Sequence, residues 1–235
     1  MSETAVTRPS PLSATRAPTT RPSRPTRKRR TGAWTVTGLL LLSFVPVVAG
    51  AARLTELSIG AGVTPGNARF FESPVPVVLH IVGATLFTVL GAFQFVPSLR
   101  RRRWHRISGR ILLPAGVVAA LSGLWMTVFY ELPGTDEQAL LVIRLVFGTG
   151  MAASLVIAFI AIRRGDVRTH SAWMTRGYAI GLGAGTQVLT HLPWVLLLGE
   201  PDEATRAVLM AAAWVINLAV AELVILRRRA AARLS

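Results

Sequence analysis

The sequence predicts an all-α polytopic membrane protein: a six-transmembrane-helix bundle behind a disordered N-terminal arm. Three observations carry this expectation. Six apolar segments divide the 235 residues, and each has about 20 residues or more, enough to cross ~30 Å of hydrocarbon as a helix. The connecting stretches alternate in charge, basic at 16–30, 100–110, 163–176 and 227–233, acidic at 56–72, 131–137 and 200–203. Tryptophans mark the boundaries, with Trp34, Trp104 and Trp173 beside basic stretches and Trp125 and Trp194 near acidic ones. Rings with one polar edge gather at the two faces of a bilayer.

Positive residues stay on the cytoplasmic side when a membrane protein inserts. The pattern therefore places both termini in the cytoplasm and the protein in the plasma membrane of a bacterium, its inner membrane. Of 26 Lys and Arg, 22 fall on the cytoplasmic side, and eight of 11 acids fall on the outer side. The net charge of +15 thus reports topology and contact with anionic lipid headgroups. A nucleic-acid-binding face needs its cations on a folded soluble module, and the chain has no room for one. Cysteine is absent, which excludes disulfides, thiolate chemistry and Cys-ligated metals.

Taken in order, residues 1–33 are rich in Pro, Ser, Thr and Arg without apolar periodicity, so they read as a basic cytoplasmic arm. The membrane domain then occupies 34–229. Its first span covers about 34–52. Ala49-Gly50-Ala51 fits a small-x-small cleavage pattern, but the long arm before it favours an uncleaved anchor. An outer loop over 53–74 contains Gly60, Gly62, Pro65 and Gly66. The later spans fall at about 75–97, 111–130, 139–162, 176–198 and 206–226, with a tail at 230–235. Lengths near 20 residues exclude strands, and short connections make sequential helices antiparallel neighbours.

Span two places His80, Gly83, Ala84, Phe87, Gly91 and Gln94 on one face at 100° per residue. Polar groups facing hydrocarbon are costly, so this face turns inward. Span four adds Arg144, span five Gln187 and His191, span six Trp214 and Asn217. His80, Arg144 and His191 share a depth about 7–10 Å below the outer boundary, and Gln187 and Asn217 lie deeper. These residues outline an outer-half polar pocket. The alternative is a satisfied structural network, with Arg144 reaching Glu131 or Asp136 and each His bonding a carbonyl. Pro193 leaves the carbonyl of Leu189 without its helical donor near His191. Gly177, Gly181 and Gly185 form a small-xxx-small stripe, suited to packing within the bundle or to a homo-oligomer seam.

A second cluster lies at the cytoplasmic face. Trp104-His105-Arg106 leads to Gly109-Arg110, and His170 leads to Trp173-Met174 and Arg176. Arg176 is expected to pair with Glu222 and Arg110 with Asp166. These residues serve as interface anchors or as a phosphate or headgroup site. The segments Trp104 to Arg110 and His170 to Arg176 resemble the paired H-R-x-x-G-R and H-x-x-W-M-x-R signatures of domain of unknown function 2306, a bacterial multi-pass membrane family. His80 with Gly91 and Gln94 is similar to its second-span pattern. The resemblance covers residues 75–198 and implies a multi-pass plasma-membrane protein with no established reaction. Members often carry an Arg late in the helix after the second motif, where this chain has Gln187-Val188-Leu189-Thr190-His191.

Three functions follow as expectations. His80 and His191 at one depth on different helices suit bis-His ligation of haem b in a cytochrome-like redox protein. Gln94, Gln187, Asn217 and Arg144 suit a transporter or binding site for a small polar or anionic solute. The glycine stripe and basic loops suit a non-catalytic scaffold or regulatory partner. No Ser or Cys nucleophile motif, carboxylate dyad, H-E-x-x-H or phosphate-cradling loop occurs in the sequence, so no classical enzyme is indicated.

Overall fold

A computed structural model describes residues 27–96, 99, 103–131 and 138–234, with the side chains of 27–31 left aside. The arm over 1–26, Arg100 to Arg102, and the acids Asp136 and Glu137 lie outside the described residues. The elements are α1 (Arg27–Ser58), α2 (Ala68–Glu72), α3 (Pro74–Gln94), α4 (Arg103–Phe129), α5 (Gln138–Arg163), α6 (Val167–Gly181), α7 (Gly183–Leu198) and α8 (Glu203–Arg233). No strand occurs among them.

Five of these helices are long and apolar enough to cross a membrane by themselves, and α6 with α7, bent by 42° at their junction, makes a sixth candidate when taken as one broken span. The chain is therefore an all-α polytopic membrane protein. Sequential helices pack side by side: α3 on α4, α4 on α5, α5 on α6 and α7 on α8. The ring is completed by α1 against α3 and α7, and by α8 against α6. One end of the bundle carries the acids of 56–72, Glu131 and 200–203 and is called the acidic end below. The other carries the helix starts at Arg27 and Arg103.

Two boundaries differ from expectation. Residues 27–33, expected in the arm, are helical and lead into an apolar span that begins at Gly32; Arg is a good helix former and extends such a helix beyond its apolar part. Likewise α8 runs to Arg233 through most of the expected tail.

The fifth span is not straight. It breaks at Leu182, where α6 and α7 meet at 42°. Gly181 and Gly183 flank the break, and the buried Leu182 side chain turns into the core. The three glycines spaced four apart meet other helices of the same chain. Gly177 faces Leu155 and Ser154 of α5, Gly181 faces Phe87 of α3 and Met151 of α5, and Gly185 meets the Leu42 backbone of α1.

The connections have identifiable stops. Gly165, with φ +77°, ends α5 in a left-handed residue. The amide of Asp166 then bonds the Ala161 carbonyl and that of Gly165 the Ile162 carbonyl, a Schellman closure. Asp166 next caps α6 by accepting from the Thr169 amide at 2.9 Å, the role it plays in place of the expected pairing with Arg110. The loop after α1 is drawn in by the buried Asn67. Its amide group bonds Glu56, and its carbonyl oxygen accepts from the Thr64 amide at 2.6 Å. This seats α2 over the acidic end of the bundle, where the Tyr130 hydroxyl donates to the Ser73 carbonyl at 2.6 Å.

Candidate functional site

A cavity of about 570 Å³ opens among α1, α3, α4, α5, α7 and α8. Its floor lies at the break in the fifth span. Phe87 and the Met151 methyl group both lie against Gly181. Trp214 lies against Gly183, donating from its indole to the Ile180 carbonyl at 3.2 Å. Phe147 stacks on the Trp214 ring at 4.7 Å between centroids, which fixes the indole.

Above this floor the walls turn polar. Arg144 stands seven residues above Met151 on α5, and His80 seven above Phe87 on α3, each about 10 Å at helical rise. Gln187 lies six residues beyond Gly181, past the break, near the start of α7. All three line the cavity, so three helices bring an arginine, a histidine and an amide to one space.

His80 is held by α4. Its Nδ1 lies 2.8 Å from the Ala119 carbonyl, and its ring fits the notch left by Gly123. A carbonyl can only accept, so Nδ1 donates, and in the neutral ring Nε2 carries the lone pair. The Gln187 amide nitrogen is buried and has no hydrogen-bond partner among the described residues. Its two N–H groups are costly to leave unmet away from water.

Three residues not singled out in the sequence complete the site. Arg69 on α2, Arg206 in the first turn of α8, and Tyr130 after α4 all line the cavity near the acidic end. Arg206, Met210 and Trp214 share one face of α8 at four-residue spacing, a signal present in the sequence. Arg69 carried no such signal, because the fold of the loop over 59–67 decides where α2 sits.

Other expected site residues lie elsewhere. His191 lines a separate cleft with Glu200, Asp202, Glu203 and Arg206. His80 and His191 therefore line different spaces and do not face one another across a common cavity, as two axial ligands of one haem must, so the residues present do not fit that group. Among the described residues no cluster of three or more His, Asp and Glu is arranged to hold a metal ion. Asn217 is engaged with Thr186 and the Ala179 carbonyl at 2.8 and 3.0 Å and ties α8 to the break. Gln94 lies at the opposite end, bonded to Ser108 of α4 at 2.5 Å.

At the basic end the expected pair is formed. Arg176 holds Glu222 through Nε at 2.6 Å and a second nitrogen at 3.0 Å, while its guanidinium stacks 4.5 Å from the Trp173 ring centre. His170 Nδ1 bonds the Ala158 carbonyl at 2.9 Å, joining α6 to α5. The second signature thus works largely as structure: His170, Trp173 and Arg176 fasten the start of α6 to its neighbours. In the first signature, Ser108 donates to the Trp104 carbonyl and receives Gln94, joining α3 to α4. Arg106 and Arg110 are exposed, and His105 and Gly109 are half-buried.

Residues 77–225 match the family profile described as predicted membrane protein, DUF2306. The chain belongs to this family. The match reaches beyond the segment over 75–198 that carries the two signatures, and it takes in α8 as far as Ile225 and hence the Trp214 wall of the cavity. All of α3 from Val77, α4, α5, α6 and α7 also fall within the family segment, whereas α1 and Arg69 precede it. Comparison with curated proteins and with solved structures gives no match.

Proposed function

We propose that this DUF2306 protein is a plasma-membrane binding protein or carrier for a small polar or anionic solute, oriented with its acidic end outward and both termini in the cytoplasm. One observation carries the reading: His80, Arg144 and Gln187 line one cavity from three separate helices. Ionisable groups within membrane spans are functional suspects by default. A cavity near 570 Å³ falls within the ~300–1,000 Å³ range of small-molecule sites. Arginine offers five donors in a planar fork that matches carboxylate or phosphate, and Gln187 adds a buried donor.

The test is thermal unfolding of purified protein against a panel of polar and anionic solutes. A solute at 100 times its Kd stabilises by about 2.7 kcal/mol, which raises the midpoint measurably. Arg144→Ala is expected to abolish the shift. A panel that shifts nothing, or a shift that survives in Arg144→Ala, overturns the reading. Orientation is tested separately by a C-terminal reporter, which stays inside the cell on this proposal.

A further inference from the structure

The cavity is graded from end to end, and the grading says more than its volume. On α5 the lining passes from Arg144 through Gly148 to Met151, on α8 from Arg206 through Met210 to Trp214, and on α3 from His80 through Ala84 to Phe87. Each sequence repeats about every turn, and each goes from polar to apolar with depth. The acidic-end rim adds Arg69 and Tyr130. Among the described residues the lining holds three arginines and no carboxylate, and one of the three, Arg206, also borders the neighbouring cleft of Glu200, Asp202 and Glu203. The floor holds the rings of Phe87 and Trp214 and the side chains of Met151, Ile180 and Leu182, while the hydroxyls of Ser43 and Thr88 there donate to carbonyls of their own helices.

Guanidinium groups at the edge of a low-dielectric space focus a positive potential into it. A free inorganic anion answers the rim but leaves the floor, about 10 Å below, in contact with nothing that matches it. Burial of apolar ligand surface there contributes roughly 25 cal/mol per Å². From this grading we infer that the occupant is a single-chain amphipathic anion, an acidic head on one apolar tail. The head, a carboxylate or a phosphate monoester, sits at the tier of Arg144 and the rim of Arg69 and Arg206. The tail descends between α1 and α8 to Trp214. Gln187, which also lines the cavity, donates its buried N–H groups to the acid oxygens. The inference rests on the solute-binding reading and narrows it to one chemical class.

Trp214 supplies the readout, because bromine quenches indole fluorescence at short range. Full-length protein in phosphatidylcholine nanodiscs is titrated with 11-bromoundecanoate, 2-bromoundecanoate and the methyl ester of the 11-bromo acid. The expected result is saturable quenching by the 11-bromo acid that disappears in Trp214→Phe. The 2-bromo isomer, with its bromine beside the head, quenches that component much less. The methyl ester needs about tenfold or more higher concentration, as does the acid with Arg144→Gln, consistent with loss of a charge-assisted hydrogen bond. Competition by dodecyl phosphate against undecanoate then tells which head is preferred.

An ester that quenches as well as the acid overturns the inference on the unaltered protein, so no variant's folding is at issue. Equal quenching by the two bromo isomers overturns the head-up orientation. If acetate or inorganic phosphate protects the protein while the bromo acid leaves Trp214 unquenched, the amphiphile is wrong and solute binding stands. If no probe protects or quenches, both fall.

Discussion

The carbonyl oxygen of Leu42 on α1 occupies the space where a β-carbon of residue 185 on α7 would be, and residue 185 is glycine. Pro46, four residues further along α1, has no N–H, so the Leu42 carbonyl lacks its helical donor. The freed oxygen is turned against the Cα of Gly185, a contact of the kind that lets membrane helices approach closely. Since α1 reaches the bundle through α3 and α7 alone among its principal contacts, this point helps decide whether the α1 wall of the cavity is present.

Gly185→Val should push α1 off α7. Overpacking of this kind costs about 1–3 kcal/mol, and the thermal midpoint in detergent should fall. Gly38→Ala, on the same helix α1 with nothing within 4 Å, is the control and should leave the midpoint unchanged or raise it. Equal midpoints for Gly185→Val and the unaltered protein would refute the close approach.

His80 and Gly123 form a second paired position. A β-carbon at residue 123 lies 3.2 Å from two atoms of the His80 ring, closer than ordinary contact. Gly123→Leu should displace the ring from the Ala119 carbonyl and into the cavity, lowering stability and blocking solute binding together. His80→Phe keeps a ring but no donor, and should cost about 0.5–1.5 kcal/mol, the net worth of one hydrogen bond. Denaturation midpoints separate the two, with Gly123→Leu the more severe.

The Arg176–Glu222 pair should prove modest despite its two-point geometry. The Glu222 side chain is 44% exposed and that of Arg176 21%, so solvent screens the pair, and a double-mutant cycle should return under about 1 kcal/mol. Arg176→Lys loses the fork and the stacking on Trp173, and should fall closer to Arg176→Ala than to the unaltered protein. A coupling of several kcal/mol would show that the pair sits in a much drier place.

Two N-cap carboxylates set a pH dependence. Hydrogen bonds from Thr205 hold the Asp202 carboxyl below the ordinary carboxylate range, and those from Thr169 do the same for Asp166. A carboxyl with a depressed native pKa contributes stability above the unfolded carboxylate's titration, and that contribution is lost as pH falls through the depressed value. The midpoint should therefore decline on the acid side as the starts of α6 and α8 lose their caps. In the double variant Asp166→Asn and Asp202→Asn the amide oxygens still cap, so the acid-side decline should flatten. An unchanged decline would mean that other groups govern it.

Much of the fold was legible because its causes are local. A run of about 20 apolar residues must form a helix in lipid, and alternating loop charge orders the helices across the bilayer. The pairing of Arg176 with Glu222 was legible too, since both stand near the basic end on spans whose depth the loops define. Depth along a helix is a matter of counting residues, and counting placed Arg144 and His80 on one level.

What counting cannot reach is the rotation of each helix and any break in its line. The sequence by itself determined the all-α class, the polytopic membrane architecture and the family to which the chain belongs. Only the tertiary structure decided that Gln187 shares a cavity with His80 and Arg144 while His191 lines a different cleft, because helix rotation and the break at Leu182 are set by contacts between helices. It also decided that Asn217 and Gln94 are spent on holding helices together, and that Arg69 arrives from a short helix seated by Asn67. Those outcomes depend on contacts between residues distant in the chain, such as Gly181 with Phe87 and Gly183 with Trp214, and no periodicity within one segment encodes them.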